Sequence, residues 1–252
     1  MNTTAVVTGT LPVAKPENDG LRMQRVAKIW QAAGPLVIFV AMFAVVASLT
    51  PTFVGGGGMT IIASSAAPIL LVALGQAFVL NIGSIDLSNA AITVLGAIML
   101  AMTLGPLGAV APIVVLIMVT AFGAVNGLLI AYAQVPSFAL TLGTLGIFQA
   151  AALVVSGATT VYVSANSELI TPLYTSGIAT LPMSFILGVV VAIASWAFLR
   201  FTRAGRGMTA VGKNESGAIF SAVRNRQVKV VAYALSGLLS GLASLTIIAQ
   251  AG

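Results

Sequence analysis

The segment NIGSIDLSNA, residues 81–90, holds one carboxylate, Asp86, and the nearest charged residues along the chain are Lys28 on one side and Glu168 on the other. A carboxylate at the centre of a bilayer costs about 2.5–3.5 kcal/mol on insertion scales, so its neighbours have to satisfy it or water has to reach it. Two readings follow. Gly83 and Ser84 break the preceding apolar run, and Asp86 or Ser88 then caps the next helix, where free amides and the helix dipole favour an oxygen. Alternatively, the break lines a polar pathway, because non-helical backbone at membrane depth is tolerated only within protein or beside water. Gln76, Asn81, Asn126 and Gln149 are further polar groups within apolar runs. Each suits an interhelical hydrogen bond, and together they predict a bundle with a wet interior, which makes Gln76, Asn81 and Asn126 pathway candidates beside Asp86.

Other chemistries are poorly provided for. The sequence contains no Cys and no His, which removes thiolate nucleophiles, imidazole bases and the usual zinc, haem and iron–sulfur ligand sets. No cofactor or metal is expected. A membrane enzyme would need a Ser/Lys or two-Asp site, yet no Lys falls within an apolar run, and Asp86, at the break between two runs, is the one aspartate among the spans. No P-loop is present to hold a nucleotide. A secondary transporter is the weaker alternative to a transport subunit driven by a partner, since ion coupling ordinarily uses several intramembrane acids.

The elements that must position Asp86 are membrane helices. Of 252 residues, 59% are hydrophobic and 6% charged, with a mean hydropathy of +1.09, far from a soluble domain. Apolar runs at 29–50, 60–82, 87–104, 109–133, 138–157, 181–199 and 231–250 are each about long enough to span, which predicts an all-α polytopic membrane protein. The first run is too long for a signal-peptide core and is taken as an uncleaved helix. Residues 1–28 read as a polar cytoplasmic tail, residues 29–252 as the transmembrane domain, and 200–230 as a cytoplasmic loop within it. Arg22, Arg25 and Lys28 flank the first run, and Arg200, Arg203, Arg206, Lys213, Arg224, Arg226 and Lys229 fill the basic loop. An even number of crossings separates these clusters, so the positive-inside rule puts both, and the N-terminus, in the cytoplasm. The net charge of +6 is therefore a topology signal, and nucleic acid is not an expected partner. SGLLSGLAS, residues 236–244, and GAVNG, residues 123–127, carry the small-residue spacing of close helix contacts.

Within the basic loop, Asn214 is a good N-cap and Glu215 suits a first turn, while Glu215, Ile219 and Val223 continue one helical face. That short amphipathic helix either rests on anionic lipid or docks into a soluble partner.

IGSIDLSNAAITVLGA, QVPSFALTLGTLGIFQAAALVVSG and TRAGRGMTAVGKNESGA followed by VKVVAYALSGLLSGLAS occur in this order over roughly residues 30–252. Together they resemble the ribose-type permease family of bacterial ABC sugar importers. The resemblance implies a bundle of about ten helices, of which about seven are present here. It also implies a multi-pass protein of the bacterial inner membrane that forms a permease homodimer within the lipid, a separate cytosolic ABC ATPase that hydrolyses ATP, and a periplasmic or extracellular solute-binding protein. It makes Asp86, Leu87 and Ser88 the signature turn, and Gly212, Asn214, Glu215, Ser216 and Ala218 part of the helix that meets the ATPase. The implied function is import of a monosaccharide or similar small polyhydroxy solute. The chain departs from the family pattern at Ser84, at Asn89 and Ala90, and at Ser221, Ala222 and Val223. Family members continue for about three more helices, so an incomplete, inactive permease is the alternative reading.

Overall fold

The computed structural model describes residues 18–251. Every expected apolar run falls on a helix. Five stretches are long and apolar enough to cross a membrane: Gly56–Asn81 (α2), Asn89–Tyr132, Ser137–Ser156 (α5), Met183–Phe201 (α7) and Asn225–Ala251 (α10). The second of these folds back on itself as α3 (Asn89–Leu107) and α4 (Ala111–Tyr132), joined by a 3₁₀ turn at Gly108–Val110. Gly108 turns the chain at φ +53°, where a side chain would be strained, and a Cβ on Gly96 of α3 would lie 3.1 Å from the Val119 side chain of α4. These are antiparallel neighbours.

The chain divides into two compact units, residues 1–54 and 55–252. In the first, α1 spans Asn18–Leu49 and contains Pro35, and Phe43 packs against Phe39 and Phe53. The helix begins at Asn18, ahead of the expected start at 29, so part of the segment assigned to the polar tail is helical. The rest of that tail, residues 1–17, lies outside the described residues.

In the second unit, α10 is the central element. It packs most extensively on α4, then on α2 and α3. The small residues predicted to mark contacts do so. A Cβ on Gly237 would fall 2.5 Å from the Val119 carbonyl oxygen of α4, and one on Gly75 of α2 would fall 3.2 Å from that of Ser236. Lipid supplies no hydrophobic drive between helices, so backbone approach of this kind is what holds them together. One apolar cluster includes Leu71, Phe78, Val79 and Tyr233 with Met208 and Val211; another joins Ile92, Leu100, Leu104, Val115, Val119 and Ile248.

The segment after α5 covers one end of the bundle. It holds the short helix α6 (Pro172–Thr175) and an antiparallel pair of two-residue strands, β1 (Gly177–Ile178) and β2 (Leu181–Pro182). Ile170 is buried in the second cluster, and Asn166 donates from Nδ2 to the carbonyls of Leu104 (3.0 Å) and Gly105 (3.1 Å). These belong to the last turn of α3, where the Leu104 carbonyl also accepts from the Gly108 amide and helix carbonyls run short of backbone partners.

The opposite end contains two helices in the stretch read from sequence as a loop. The first, α8 (Arg203–Lys213), was not anticipated. Thr202 caps it by accepting from the Gly205 amide (3.0 Å), and Gly205, Met208 and Val211 form its buried face. The second, α9 (Glu215–Phe220), is the expected short helix, capped as expected by Asn214, whose Oδ1 accepts from the Gly217 amide at 3.0 Å. Its expected continuation to Val223 is not found. The helix stops at Phe220, and Ala222 takes a left-handed φ of +58°, which turns Val223 off the 215–219 line. The last helix also starts early, at Asn225 rather than 231.

Candidate functional site around Asp86

The site is built on the break between α2 and α3. The amide of Gly83 donates to the Leu80 carbonyl and that of Ser84 to the Val79 carbonyl, with Gly83 at φ +73°. This is a Schellman stop, which needs a left-handed residue at the position Gly83 fills. Ser84, one of the departures from the family pattern, sits just after it, where no positive φ is required.

Asp86 lies beyond the stop and is buried, with 3% of its surface exposed. Its Oδ1 accepts from the Ser88 amide (2.9 Å) and the Ser88 hydroxyl (2.6 Å), and its Oδ2 accepts from the Ser236 hydroxyl of α10 (3.1 Å). Asp86 thus closes a turn on the amide of Ser88, the N-cap position just ahead of α3, and neither of the two expected side chains bonds the amides of the helix's first turn. Ser88 makes no side-chain bond to the start of α3, because its hydroxyl donates to Asp86 and accepts from Asn126 Nδ2 (2.9 Å). Asn126 also donates to Thr144 on α5 (3.2 Å). The Ile85 carbonyl accepts from Tyr233 Oη (3.1 Å) and, at 3.4 Å, from the Thr141 hydroxyl. Helices α4, α5 and α10 thus all bind one turn, and Asp86 pays its desolvation cost with three donors.

Beside this turn, a cleft of about 570 Å³ opens between α2 and α3. Gln76, Asp86, Asn89 and Thr93 give it polar groups, while Pro68, Ile69, Val72, Leu87 and Ile247 contribute apolar wall. Asn89 Nδ2 donates at 3.4 Å to both the Val72 carbonyl and Gln76 Oε1. An apolar cavity with a few convergent polar groups is the ordinary form of a small-molecule site.

Of the sequence candidates, Asp86, Ser88 and Asn126 meet in one network, and Gln76 and Leu87 join Asp86 at the cleft. Asn81 does not. Its Nδ2 donates to Thr209 Oγ1 of α8 (3.2 Å), so it ties the α2 end to the neighbouring helix. Gln149 is exposed on α5. The contributions of Asn89, Thr141, Thr144 and Tyr233 were not foreseen, and Ser236 was read only as a packing residue.

The candidate coupling residues separate into two faces. A Cβ on Gly212 would fall 2.1 Å from the Asn81 carbonyl oxygen, so α8 meets the α2 end without space for a side chain. Ala218 is buried. Glu215 pairs with Lys229 (Nζ to Oε1, 2.6 Å), and its carbonyl accepts from Asn225 Nδ2 (3.1 Å). Ser216 is exposed, and the most open groups of α9 are Ile219 and Phe220, the latter 92% exposed. A polar space of about 510 Å³ separates α9 from the turn between α4 and α5, where Arg226 lies 5.2 Å above the Tyr132 ring.

A family described as the permease component of branched-chain amino acid transport systems matches residues 58–252. The D-allose transport system permease protein of Escherichia coli is 28% identical over 232 residues, covering 90% of this chain and 70% of the relative. The ribose import permease protein of Haemophilus influenzae is 30% identical over 218 residues, covering 84% of this chain and 67% of the relative. For the autoinducer 2 import system permease protein of Escherichia coli the identity is 29% over 221 residues, covering 86% and 64%. The chain thus spans 64–70% of the length of these relatives. No solved structure matches it. The matched region takes in the Asp86 turn, α8, α9 and the serine face of α10, and the chain belongs to the branched-chain amino acid transport system permease component family, in its ribose-type group of ABC sugar-importer permeases.

Proposed function

We propose that this chain is the membrane-spanning subunit of an ATP-driven importer for a monosaccharide or similar small polyhydroxy solute, with energy from a separate cytosolic ABC ATPase. Relatives named for allose, ribose and autoinducer 2 support the solute class. The observation that carries the reading is contact between the two ends of the mechanism. The α8–α9 pair packs on the α2 end through Gly212, Asn81 and Thr209, and that end leads directly into the Asp86 turn and its cleft.

The basic residues of α8 and of the α10 start place this end in the cytoplasm by the positive-inside rule, and the same rule puts the N-terminus there. A solute-binding protein delivers solute to the opposite end. Along the cleft Asp86, Asn89 and Thr93 are buried and bonded within the protein, so Gln76 is the group best placed to offer a carboxamide to a ligand rich in hydroxyls. Exposed apolar side chains along α5 and α7, among them Leu142, Ile147, Ile193 and Trp196, are covered by lipid and by a second copy of the permease.

Ala218 is buried and Gly212 abuts the α2 end, so the ATPase meets the outer surface of α9, at Ser216, Ile219 and Phe220. An exposed aromatic on a short helix is the kind of anchor that dominates an interface. Phe220→Asp is expected to reduce retention of the ATPase about tenfold or more, with membrane accumulation unchanged. The measurement is affinity purification in mild detergent with quantitative mass spectrometry. Absence of any ABC ATPase from the wild-type preparation would overturn the functional reading; undiminished recovery with the variant would overturn only the assignment of Phe220.

A further inference from the structure

On α10, Asn225, Lys229, Tyr233, Ser236, Ser240 and Ser244 recur at intervals of four, four, three, four and four. This is one continuous stripe of an α-helix. Each of its residues makes a bond away from its own helix. Asn225 donates to the Glu215 carbonyl and Lys229 pairs with the Glu215 carboxylate. Tyr233 then donates to the Ile85 carbonyl, Ser236 to Asp86, Ser240 to the Asn89 carbonyl (3.1 Å) and Ser244 to the Thr93 carbonyl (2.8 Å). The stripe therefore begins on α9 and ends along α3, with the Asp86 turn between.

We propose that Lys229 and Asn225 are positioning residues for transport, which fasten α9 to α10 so that displacement of α9 by the ATPase moves the Asp86 turn through this stripe as well as through the contact of α8 on the α2 end. The inference rests on the transporter reading above. Three observations favour it over a local role in folding α9. Asn214 already caps that helix. The Glu215–Lys229 contact is the one ion pair among the described residues, and its lysine is the better covered partner, 18% exposed against 52% for Glu215. The polar space beneath α9, between Glu215 and Lys229 on one side and Ser84 and Ser137 on the other, leaves α9 few direct contacts with the turn, and the ion pair bridges to α10 instead. A rigid helix carries displacement over the roughly 10 Å from Lys229 to Ser236, and coupling needs a contiguous element of that kind or an equivalent network.

The chain has no cysteine, so a single Ala90→Cys, at an exposed position lining the cleft, reports on the turn. The complex retained from native membranes is labelled with a thiol reagent, with and without ATP and vanadate to hold the ATPase closed. The labelling rate is expected to change about fivefold or more on closure, the lower range of ordinary site-to-site coupling. Lys229→Glu should cut that change by half or more while the ATPase remains bound, and Glu215→Lys, whose helix also meets the ATPase, should do the same when the change is scored per ATPase retained. The double exchange, which restores an ion pair in reverse, should recover most of it. A full response in Lys229→Glu, or no recovery in the double exchange when both singles have reduced it, overturns the proposal. Failure of the wild-type chain to retain an ATPase overturns the transporter reading itself, and is seen before any labelling.

Discussion

Gly123→Val is expected to prevent the folded bundle from accumulating. A Cβ on Gly123 would lie 2.3 Å from the Tyr233 carbonyl oxygen and 3.0 Å from the Gly237 Cα, all of it backbone. Backbone cannot rotate aside as a side chain can, so α4 and α10 would have to separate. The separation would spread along the pair, because Gly127 meets the Val230 Cα at 2.8 Å and Gly237 meets the Val119 carbonyl at 2.5 Å by the same measure. Overpacking in a close-packed core costs about 1–3 kcal/mol and sometimes more. Here the rigid contact, repeated over three glycines, puts the effect at the top of that range or above it. Nothing lies within 4 Å of a Cβ on Gly143 of α5, and Gly143→Val is therefore the matched control. Detergent extraction, gel filtration and thermal denaturation of the three chains make the comparison. The packing account fails if Gly123→Val and Gly143→Val elute and melt alike.

The helices were legible because hydropathy is a local property. Runs long enough to span give themselves away, and glycine or proline marks their ends, as Gly83 and Gly108 do. What escaped was structure whose reason lies elsewhere in the chain. The buried face of α8 is Gly205, Met208 and Val211, a line too thin to register between Arg203, Arg206 and Lys213. Only the close approach of Gly205 to the end of α7, 2.3 Å from its Cβ position to the Phe198 carbonyl, explains why glycine stands there. In the loop over the other end, the hydrogen bonds of Asn166 to Leu104 and Gly105 cross some sixty residues, and no local pattern announces them. The overextended 215–219–223 face shows the opposite error: the periodicity was genuine as far as Phe220, and the backbone turned at Ala222 for reasons the spacing does not encode.

The site was legible to the same degree. An isolated aspartate after a glycine break pointed to the turn from sequence, but not to the helices that hold it. Ser236, Ser240 and Ser244 stood out as small residues on one face, and small residues in lipid mean packing. In the structure they do both jobs: the backbones approach closely because the side chains are short, and the hydroxyls then reach the Asp86 carboxylate and the α3 carbonyls. A serine at such a position is ambiguous until its neighbour is known.

That double use of Ser236 sharpens the second large prediction. Asp86→Leu removes the acceptor for the Ser88 amide, the Ser88 hydroxyl and the Ser236 hydroxyl at once. The two hydroxyls can turn toward other acceptors, but the amide is fixed by the backbone. Leaving a buried donor unpaired costs about 1–3 kcal/mol, so the turn should loosen and the chain melt earlier, with transport lost. Asp86→Asn keeps an oxygen for Ser88 and places an amide toward Ser236, whose hydroxyl oxygen can accept as well as donate. The fold should then survive with a loss of no more than about 1 kcal/mol. Transport by the asparagine variant separates the two functions of the carboxylate. Near-normal uptake of the solute would mean that Asp86 serves by shaping the turn, whereas an intact fold with uptake abolished would mean that its charge acts on what passes through the cleft. Equal melting of the leucine and asparagine variants would contradict the hydrogen-bonding account of the turn, since only one of them retains an acceptor for the Ser88 amide.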